Sequence, residues 1–538
     1  LRDTPAFYTP GLGPRIAWDL TFNSQDPNAG VSPFNYLFGP GVWCSYLTNV
    51  ADLETYAVVV MPDGREDYYV PVDPNVNPIV YSPVAGTGVF NQLTKNTTTN
   101  QFQLVLKDHS VLTFSTTLSS GGISYYALTR ITDNVGQFVT LAYTSGAIPR
   151  LATITDANGF VSEVVYNTAG QATRINDPFG ANIQFSYTSV SGMTRLALIT
   201  DQAGYPSLLS YDSNARLTAL TTPLTAPSPT WQFGYSGTTS QISSITGPDG
   251  QSYVYAKTST TTTVTDPLGR QTVYDFSNNS FGGAGIVTDA MGNTTQREFD
   301  ANRNVTRVID GRGYFKDFTY DSQGNQLTDR SYLNLYPNTS QFIQRTWTYD
   351  ANGNILSATD PAGTENWTYN ANSQVVTYTD KLSHTRTTSY NGLGLVQSVT
   401  DRNGIVAITN SYDAGGRLLS TADALGNTTQ FQWDRRGRRT AITDPDGNKT
   451  MFAHDLLDRV TVTIFPDSTT ILDSFNCCNR TQTVDQKGGI TRFVHDGYNR
   501  LTSKTDPTGA TVQQSYDALG NLLSLTDPNG HTWQWQYD

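Results

Sequence analysis

A single phrase, Tyr-Asp-x-x-Gly-Asn/Arg followed one strand later by Asp-Pro-x-Gly, recurs along most of this chain about every 21 residues. A period that short holds one supersecondary unit per repeat, and it argues against an enzyme built around one unique site. Clear copies are Tyr349-Asp350-Ala351-Asn352-Gly353-Asn354 leading to Asp360-Pro361-Ala362-Gly363, and Tyr516-Asp517-Ala518-Leu519-Gly520-Asn521 leading to Asp527-Pro528-Asn529-Gly530. In Asp-Pro-x-Gly, Asp stands at position i, Pro is preset at i+1 and Gly at i+3, as a type I turn requires. Asp-x-x-Gly repeats that chemistry without the Pro, and its Gly suits the left-handed residue of a bulged hairpin loop. The two segments between breakers have the length of strands, so each unit is a β-hairpin and successive units form an antiparallel meander.

The aromatic before the turn marks about 19 such units, from Tyr143 to Tyr537. In Trp533-Gln534-Trp535-Gln536-Tyr537 and Phe431-Gln432-Trp433 the rings fall on every second residue, so one face of each strand is aromatic and the other polar. Stacked in unit after unit, the rings are expected to form a cross-strand ladder. Nearly 40 strands at about 4.8 Å give a sheet about 180 Å wide, which cannot stay open and flat. The expected fold is all-β, a long hairpin array curled into a spiral around a large cavity. A β-propeller is the alternative, since two units have the size of a blade, but adjacent units carry the same signature where inner and outer strands should differ. Insertions are read at Leu333 to Asn338 and at the Pro-rich stretch Pro223 to Pro229. Residues 1–125 lack the period and read as an atypical, β-rich N-terminal cap; residues 126–538 are the repeat array.

Composition bounds the partners. Charged residues are 15% of the chain against about 25% in an average globular domain, and Thr, Asn, Ser and Gly fill the difference. The net charge of -12 disfavours nucleic acid. The one dense basic patch, Arg435, Arg436, Arg438 and Arg439, reads as a solvated turn. No apolar run is long enough to span a membrane as a helix. The sequence opens at Leu1 without Met and stops at Tyr537-Asp538 inside a repeat, so a longer precursor is expected. Cys477 and Cys478 occupy the centre of a turn, either as a vicinal disulfide or as thiols, and Cys44 has no evident partner.

Catalysis needs residues that break the period. His454 and His495 fill aromatic slots, while His109, His384 and His531 are isolated in turns or strands. Asp444, Asp446 and Asn448 hint at a calcium loop, but Gly447 comes too early and no Glu closes it. No nucleophile, phosphate-loop or zinc motif is present. The chain is therefore expected not to be an enzyme and to need no cofactor or metal. Its important positions are structural: the aromatics Tyr320, Tyr349, Tyr369, Tyr390, Tyr412, Trp433, Tyr516 and Tyr537, and the turn pairs Asp360/Gly363, Asp444/Gly447, Asp506/Gly509 and Asp527/Gly530.

These phrases resemble the YD-repeat, or Rhs-repeat, family of bacterial secreted and cell-surface proteins, over residues from about 125 to 538. The stretch Trp18-Asp19-Leu20-Thr21-Phe22-Asn23-Ser24, with Phe38-Gly39 and Trp43, resembles the segment that often precedes such repeats. The resemblance implies a sheet spiralled into a hollow shell (a YD-shell), an extracellular bacterial location and, as in several members, an enclosed toxic C-terminal polypeptide. Those members end in an Arg-Tyr-Tyr-Asp-like run and an aspartate-dependent self-cleavage site; neither occurs here, and the Asp-Pro-x-Gly copies are repeat turns. The function implied is a toxin encapsulation and delivery scaffold. The alternative is a surface or matrix protein for adhesion, glycan binding or self-assembly into fibres through sheet edges.

Overall fold

The computed structural model describes residues 2–22, 37–38, 42–223, 228–277 and 283–537. Leu1, Asn23, Ser24, Gly39, residues 224–227 of the Pro-rich stretch and Asp538 lie outside them. Every regular element among the described residues is a β-strand.

The turns show why. In Asp444-Pro445-Asp446-Gly447 the Gly447 N–H donates to the Asp444 carbonyl (3.0 Å), the Asp444 N–H donates to the Asn448 carbonyl (3.0 Å), and Gly447 has φ +86°. The Asp517 turn repeats the pattern, with Gly520 N–H to Asp517 O at 3.1 Å and Asp517 N–H to Asn521 O at 2.9 Å. Both breakers are thus one device, a type I turn closed by a left-handed glycine. The Asp carboxylate locks it. Asp517 Oδ1 accepts the N–H groups of Leu519 (2.9 Å) and Asn521 (2.8 Å), and Oδ2 accepts the Asn521 side-chain amide (2.9 Å). The Asp506/Gly509 and Asp527/Gly530 turns are built alike. Asp360/Gly363 departs: the flanking strands pair through Asp360 and Gly363 themselves, Gly363 has φ +135°, and the Lys381 ammonium pairs with the Asp360 carboxylate. The loop is tighter by one residue, which accounts for the short spacing from Tyr349 to Tyr369.

The sheet is continuous. Strands β1 (Arg2–Tyr8), β2 (Ile16–Phe22) and β3 (Val42–Cys44) form a small sheet of their own. Strands β4 (Asn49–Asp52), β5 (Ala57–Val60), β6 (Glu66–Pro71), β7 (Ile79–Pro83), β8 (Gln92–Asn96), β9 (Gln101–Val105), β10 (Val111–Ser120) and β11 (Ile123–Thr132) pair in sequence, and β11 closes the ring on β4. Strand β11 belongs to two circles at once. Residues 124–127 pair with β4, whereas residues 130–132 pair with β12 (Phe138–Tyr143). From there every strand pairs antiparallel with the next, out to Thr532–Gln534. This unbroken order leaves no blades and excludes the propeller. Residue 125 falls inside β11, so the boundary at 125/126 runs through a strand: β4–β11 begin the sheet that the repeats continue, while β1–β3 stand apart from it.

The ring closed by β4 and β11 is filled by Val59, Tyr69, Leu93, Phe102, Phe114 and Leu128. The same face runs on through Leu141, Ile154, Val164, Ile175, Phe185 and Leu209, with Tyr143, Tyr166, Tyr187 and Tyr211 packed against it. The aromatic slots therefore face inward. Strands β1 and β2 and Phe38 cover this face in the first turn, where the Phe38 and Phe185 rings lie 4.9 Å apart.

Successive slots are joined by hydroxyls, not by a ladder of stacked rings. Slot tyrosines donate to a backbone carbonyl of the preceding unit: Tyr320 to Val305, Tyr349 to Gln326, Tyr369 to Ile355 and Tyr412 to Val396 at 2.8 Å, Tyr390 to Val375 at 2.9 Å, Tyr516 to Leu501 at 2.8 Å and Tyr537 to Leu522 at 3.0 Å. Trp433 uses its indole N–H, to Leu418 at 2.7 Å. The acceptor opens the second strand of the previous hairpin, where the bulge turns a carbonyl toward the ring. On the outer face, hydroxyls pair across strands: Ser515 with Ser524 and Ser411 with Ser420 at 2.6 Å, Ser389 with Ser398 and Thr368 with Thr377 at 2.7 Å. Such pairs are worth about 0.2 to 1 kcal/mol each, and they give the abundant Thr and Ser a structural use.

Replacing Tyr390 by Phe keeps the ring and removes only the bond to Val375, so the substitution is expected to cost about 1 kcal/mol. Urea unfolding of the variant beside the parent chain measures it; an unchanged midpoint refutes the role given to the hydroxyl.

Candidate functional site

Two features stand out along a largely periodic chain: the seam where one turn of the spiral meets the next, and the inner face beyond Leu209.

Asn134 Nδ2 donates to Asn372 O (2.9 Å), Gln202 Nε2 to Leu456 O (2.7 Å) and Tyr498 Oη to Asp249 Oδ1 (2.7 Å), at sequence separations of 238, 254 and 249. In each pair one residue lies in an Asp-Pro-x-Gly-type loop of the first turn and the other in a Tyr-Asp-x-x-Gly-type loop of the second. One circuit therefore takes about 250 residues, about 12 hairpins and 24 strands, for a wall about 115 Å around and about 37 Å across. The contour wraps into more than one turn, narrower than the single wrap its full width allows.

The seam is tight. A Cβ on Gly11 would stand 2.1 Å from Gly415 O, and one on Gly247 would stand 1.7 Å from Tyr498 Oη. Its centre is Arg436, which is 6% exposed. The guanidinium pairs with Asp177 (2.5 Å) and Asp458 (3.1 Å), and donates to Gln202 Oε1 (2.8 Å) and Phe7 O (3.2 Å). It thus ties the N-terminal strand, two first-turn loops and a neighbouring second-turn loop together. This corrects the reading of the arginine patch as a solvated turn: Arg435 and Arg439 are exposed, but Arg436 is the most connected side chain of the seam, and Arg438 locks its own turn through Asp434 (2.7 Å). Beside it lies a cavity of about 440 Å³, lined by Tyr8, Leu12, Phe160, Phe179, Arg435 and Gly415 among others. Arg436, Gln202 and Tyr498 occupy positions the 21-residue phrase leaves variable, so the repeat carries no signal for them. Only pairing loops about 250 residues apart finds them.

The inner face changes character along the spiral. Through Leu209 it is a buried, largely aliphatic core, whereas beyond it the large side chains of the same face are half-buried or exposed and only small Ala358 is buried. Register places Trp231, Tyr253, Tyr274, Trp347, Trp367, Tyr378, Phe431 and Phe493 there. No segment among the described residues covers them as β1, β2 and Phe38 cover the first turn.

The remaining candidates serve the scaffold. Burial holds His454 and His495 below the usual histidine range in their slots. His384 and His531 place Nδ1 on the Oδ2 of Asp380 (3.2 Å) and Asp527 (3.0 Å), in the role Asn521 plays for Asp517. The Asp444 carboxylate is engaged by the Asn448 backbone and side chain (2.8 and 3.0 Å). Cys477 and Cys478 are bonded to each other at a loop tip, and burial pushes the Cys44 thiol up to about 12.

The RHS repeat model matches residues 412–449 and 516–538, and the teneurin YD-shell model matches residues 134–288. No curated protein matches the chain significantly. Among solved structures, the crystal structure of TcdB2-TccC3-TEV is 10% identical over 98% of this chain and 35% of its own, with a TM-score of 0.30. A Tc holotoxin pore of Photorhabdus luminescens is 10% identical over 96% of this chain and 35% of its own, with a TM-score of 0.26. The N-terminal domain of the effector protein SpvB from Salmonella typhimurium strain LT2 is 10% identical over 47% of this chain and all of its own, with a TM-score of 0.22. The chain spans about a third of the length of the first two.

Cutting one partner from the buried Arg436 cluster leaves uncompensated charge, so Asp177→Asn and Arg436→Met are each expected to destabilise by about 3 kcal/mol or more, with strong coupling in the double mutant. Hydrogen exchange should localise the loss to the loops at 177–180 and 434–437; uniform loss along the chain counts against the seam.

Acid should weaken the array. The Asn448 side chain holds the Asp444 carboxyl below its usual range, and the Thr508 and His531 side chains do so for Asp506 and Asp527. A lowered folded pKa adds stability that is present above the unfolded value of about 3.9 and lost as pH falls through the folded one. Asp201 and Asp458, raised by burial, act the opposite way: their contribution is complete below the unfolded value and lost as pH rises through the folded one. The lowered turn aspartates outnumber these, so thermal midpoints should drop steeply below about pH 4. A flat profile there removes the carboxylate lock from the explanation.

Proposed function

The chain is a YD/Rhs-repeat protein, and on that premise we propose that it is a structural shell whose wall beyond Leu209 houses a polypeptide, as part of a bacterial toxin-delivery scaffold acting outside the cell. One observation carries the reading. The same inner face is filled by the N-terminal segment up to Leu209 and lined by uncovered aromatics beyond it. An aromatic wall with no partner from its own chain is a surface suited to unfolded or partly folded protein. A circuit about 37 Å across leaves more room than facing side chains can fill.

The chain is a container in this reading and not a catalyst. The Asp residues that outnumber every other acid are spent on turns, where their oxygens already accept two or three hydrogen bonds. Charge is sparse and the outer face is a lattice of paired hydroxyls, which suits a particle that must stay soluble without binding its surroundings.

Cryo-electron microscopy of the purified chain tests the proposal. Discrete hollow particles with a wall of stacked hairpins are expected. Particles whose second turn collapses onto itself, or end-to-end polymers, overturn it.

A further inference from the structure

We propose that the lumen lined by the strands beyond Leu209 is built for an acidic polypeptide; the proposal rests on the shell reading. Strand register assigns each charged side chain to a face. Lys257 shares the inner face with Tyr255, Arg297 with Phe299, and Arg386 stands opposite Tyr378. Arg439 stands opposite Trp433 and lies 6.0 Å from the Phe431 ring and 5.7 Å from that of Phe452. Lys504 stands opposite Phe493.

None of these five cations has a carboxylate partner among the described residues. The inner-face strand acids are already taken: Asp329 by Lys316, Glu365 by Arg345 and Asp473 by Arg480. The unneutralised charge inside is positive, in a chain whose net charge is -12. The first turn shows the contrast, since its inner face from Val139 to Leu209 is an aliphatic core and is filled by its own chain.

Spacing selects the occupant. The five cations lie roughly 20 to 40 Å apart along the wall, whereas a nucleic acid strand presents a phosphate about every 3.4 Å. A wall this sparse leaves most phosphates uncompensated. Carboxylates scattered among apolar side chains match it instead: each cation sits beside aromatic surface, so an acidic residue next to an apolar one finds both contacts.

The test uses the full chain with three labelled probes, a random Glu/Tyr copolymer, a Lys/Tyr copolymer and single-stranded DNA, followed by fluorescence anisotropy at low and high salt. The Glu/Tyr copolymer should bind and the Lys/Tyr copolymer should not. Combining Lys257→Gln, Arg297→Gln, Arg386→Gln, Arg439→Gln and Lys504→Gln should weaken binding at least about tenfold. The outer-face pair Lys449→Gln and Arg492→Gln should leave it unchanged. Equal binding by the fivefold variant, loss in the outer-face variant, or tighter binding of DNA overturns the proposal. Should the fivefold variant fail to fold, the salt series on the unaltered chain decides, and binding that salt does not weaken overturns it. Microscopy separates the two readings: a hollow particle without preference for the acidic probe sinks this inference alone, whereas a collapsed second turn removes the shell itself.

Discussion

The rest of the structure depends on an aspartate folded back over its own turn. With Oδ1 on two backbone N–H groups and Oδ2 on the side chain four residues on, one carboxylate fixes loop length, hand and exit direction together. Because most hairpin ends use it, or an asparagine in the same place, strand lengths vary little along the repeats. The 21-residue period follows from that regularity, and the curvature and pitch of the spiral follow from the period. Where one loop loses a residue, at Asp360/Gly363, the neighbouring strands pair directly across the turn and the sheet continues undisturbed.

Stability is distributed in the same manner. Only the first turn has a conventional core, around Tyr69, Phe102, Phe114 and Trp18. Beyond it, most hairpins with a slot tyrosine add a hydroxyl reaching back to the previous unit and, in many, a hydroxyl pair across the outer face. These are nearest-neighbour terms, which makes the array an almost one-dimensional solid nucleated by the N-terminal ring. A wall held this way can remain standing with little inside it.

Much of this was legible in the sequence, and the misses share a cause. Turns, strands and the continuous meander are local, and Asp444 or Gly509 announces them within four residues. The role of tyrosine was half legible: alternation placed the ring on one face, but only the bulge geometry shows why a hydroxyl at Tyr390 or an indole N–H at Trp433 matters more than stacking. The N-terminal region looked like a cap because it lacks the phrase. In the structure it starts the sheet and fills it, since a closed ring and a buried plug need apolar runs such as Ala57-Val58-Val59-Val60 in place of repeats. Arg436 was misread because a charge beside other charges on a turn is usually solvated, and its partners at 177, 202 and 458 are assembled only when the spiral closes.

That closure gives the molecule a vernier. Within a turn, neighbours follow a beat of one hairpin; across the seam, they follow a beat of about a dozen. Duplicating or deleting a single hairpin leaves the first beat intact but slides every later loop past its partner, so that Arg436 would meet a stranger in place of Asp177 and Tyr498 would miss Asp249. Growth and shortening that keep the seam are therefore quantised in whole circuits. The diameter of the spiral is set by a phase relation along the sequence, not by any one contact within it.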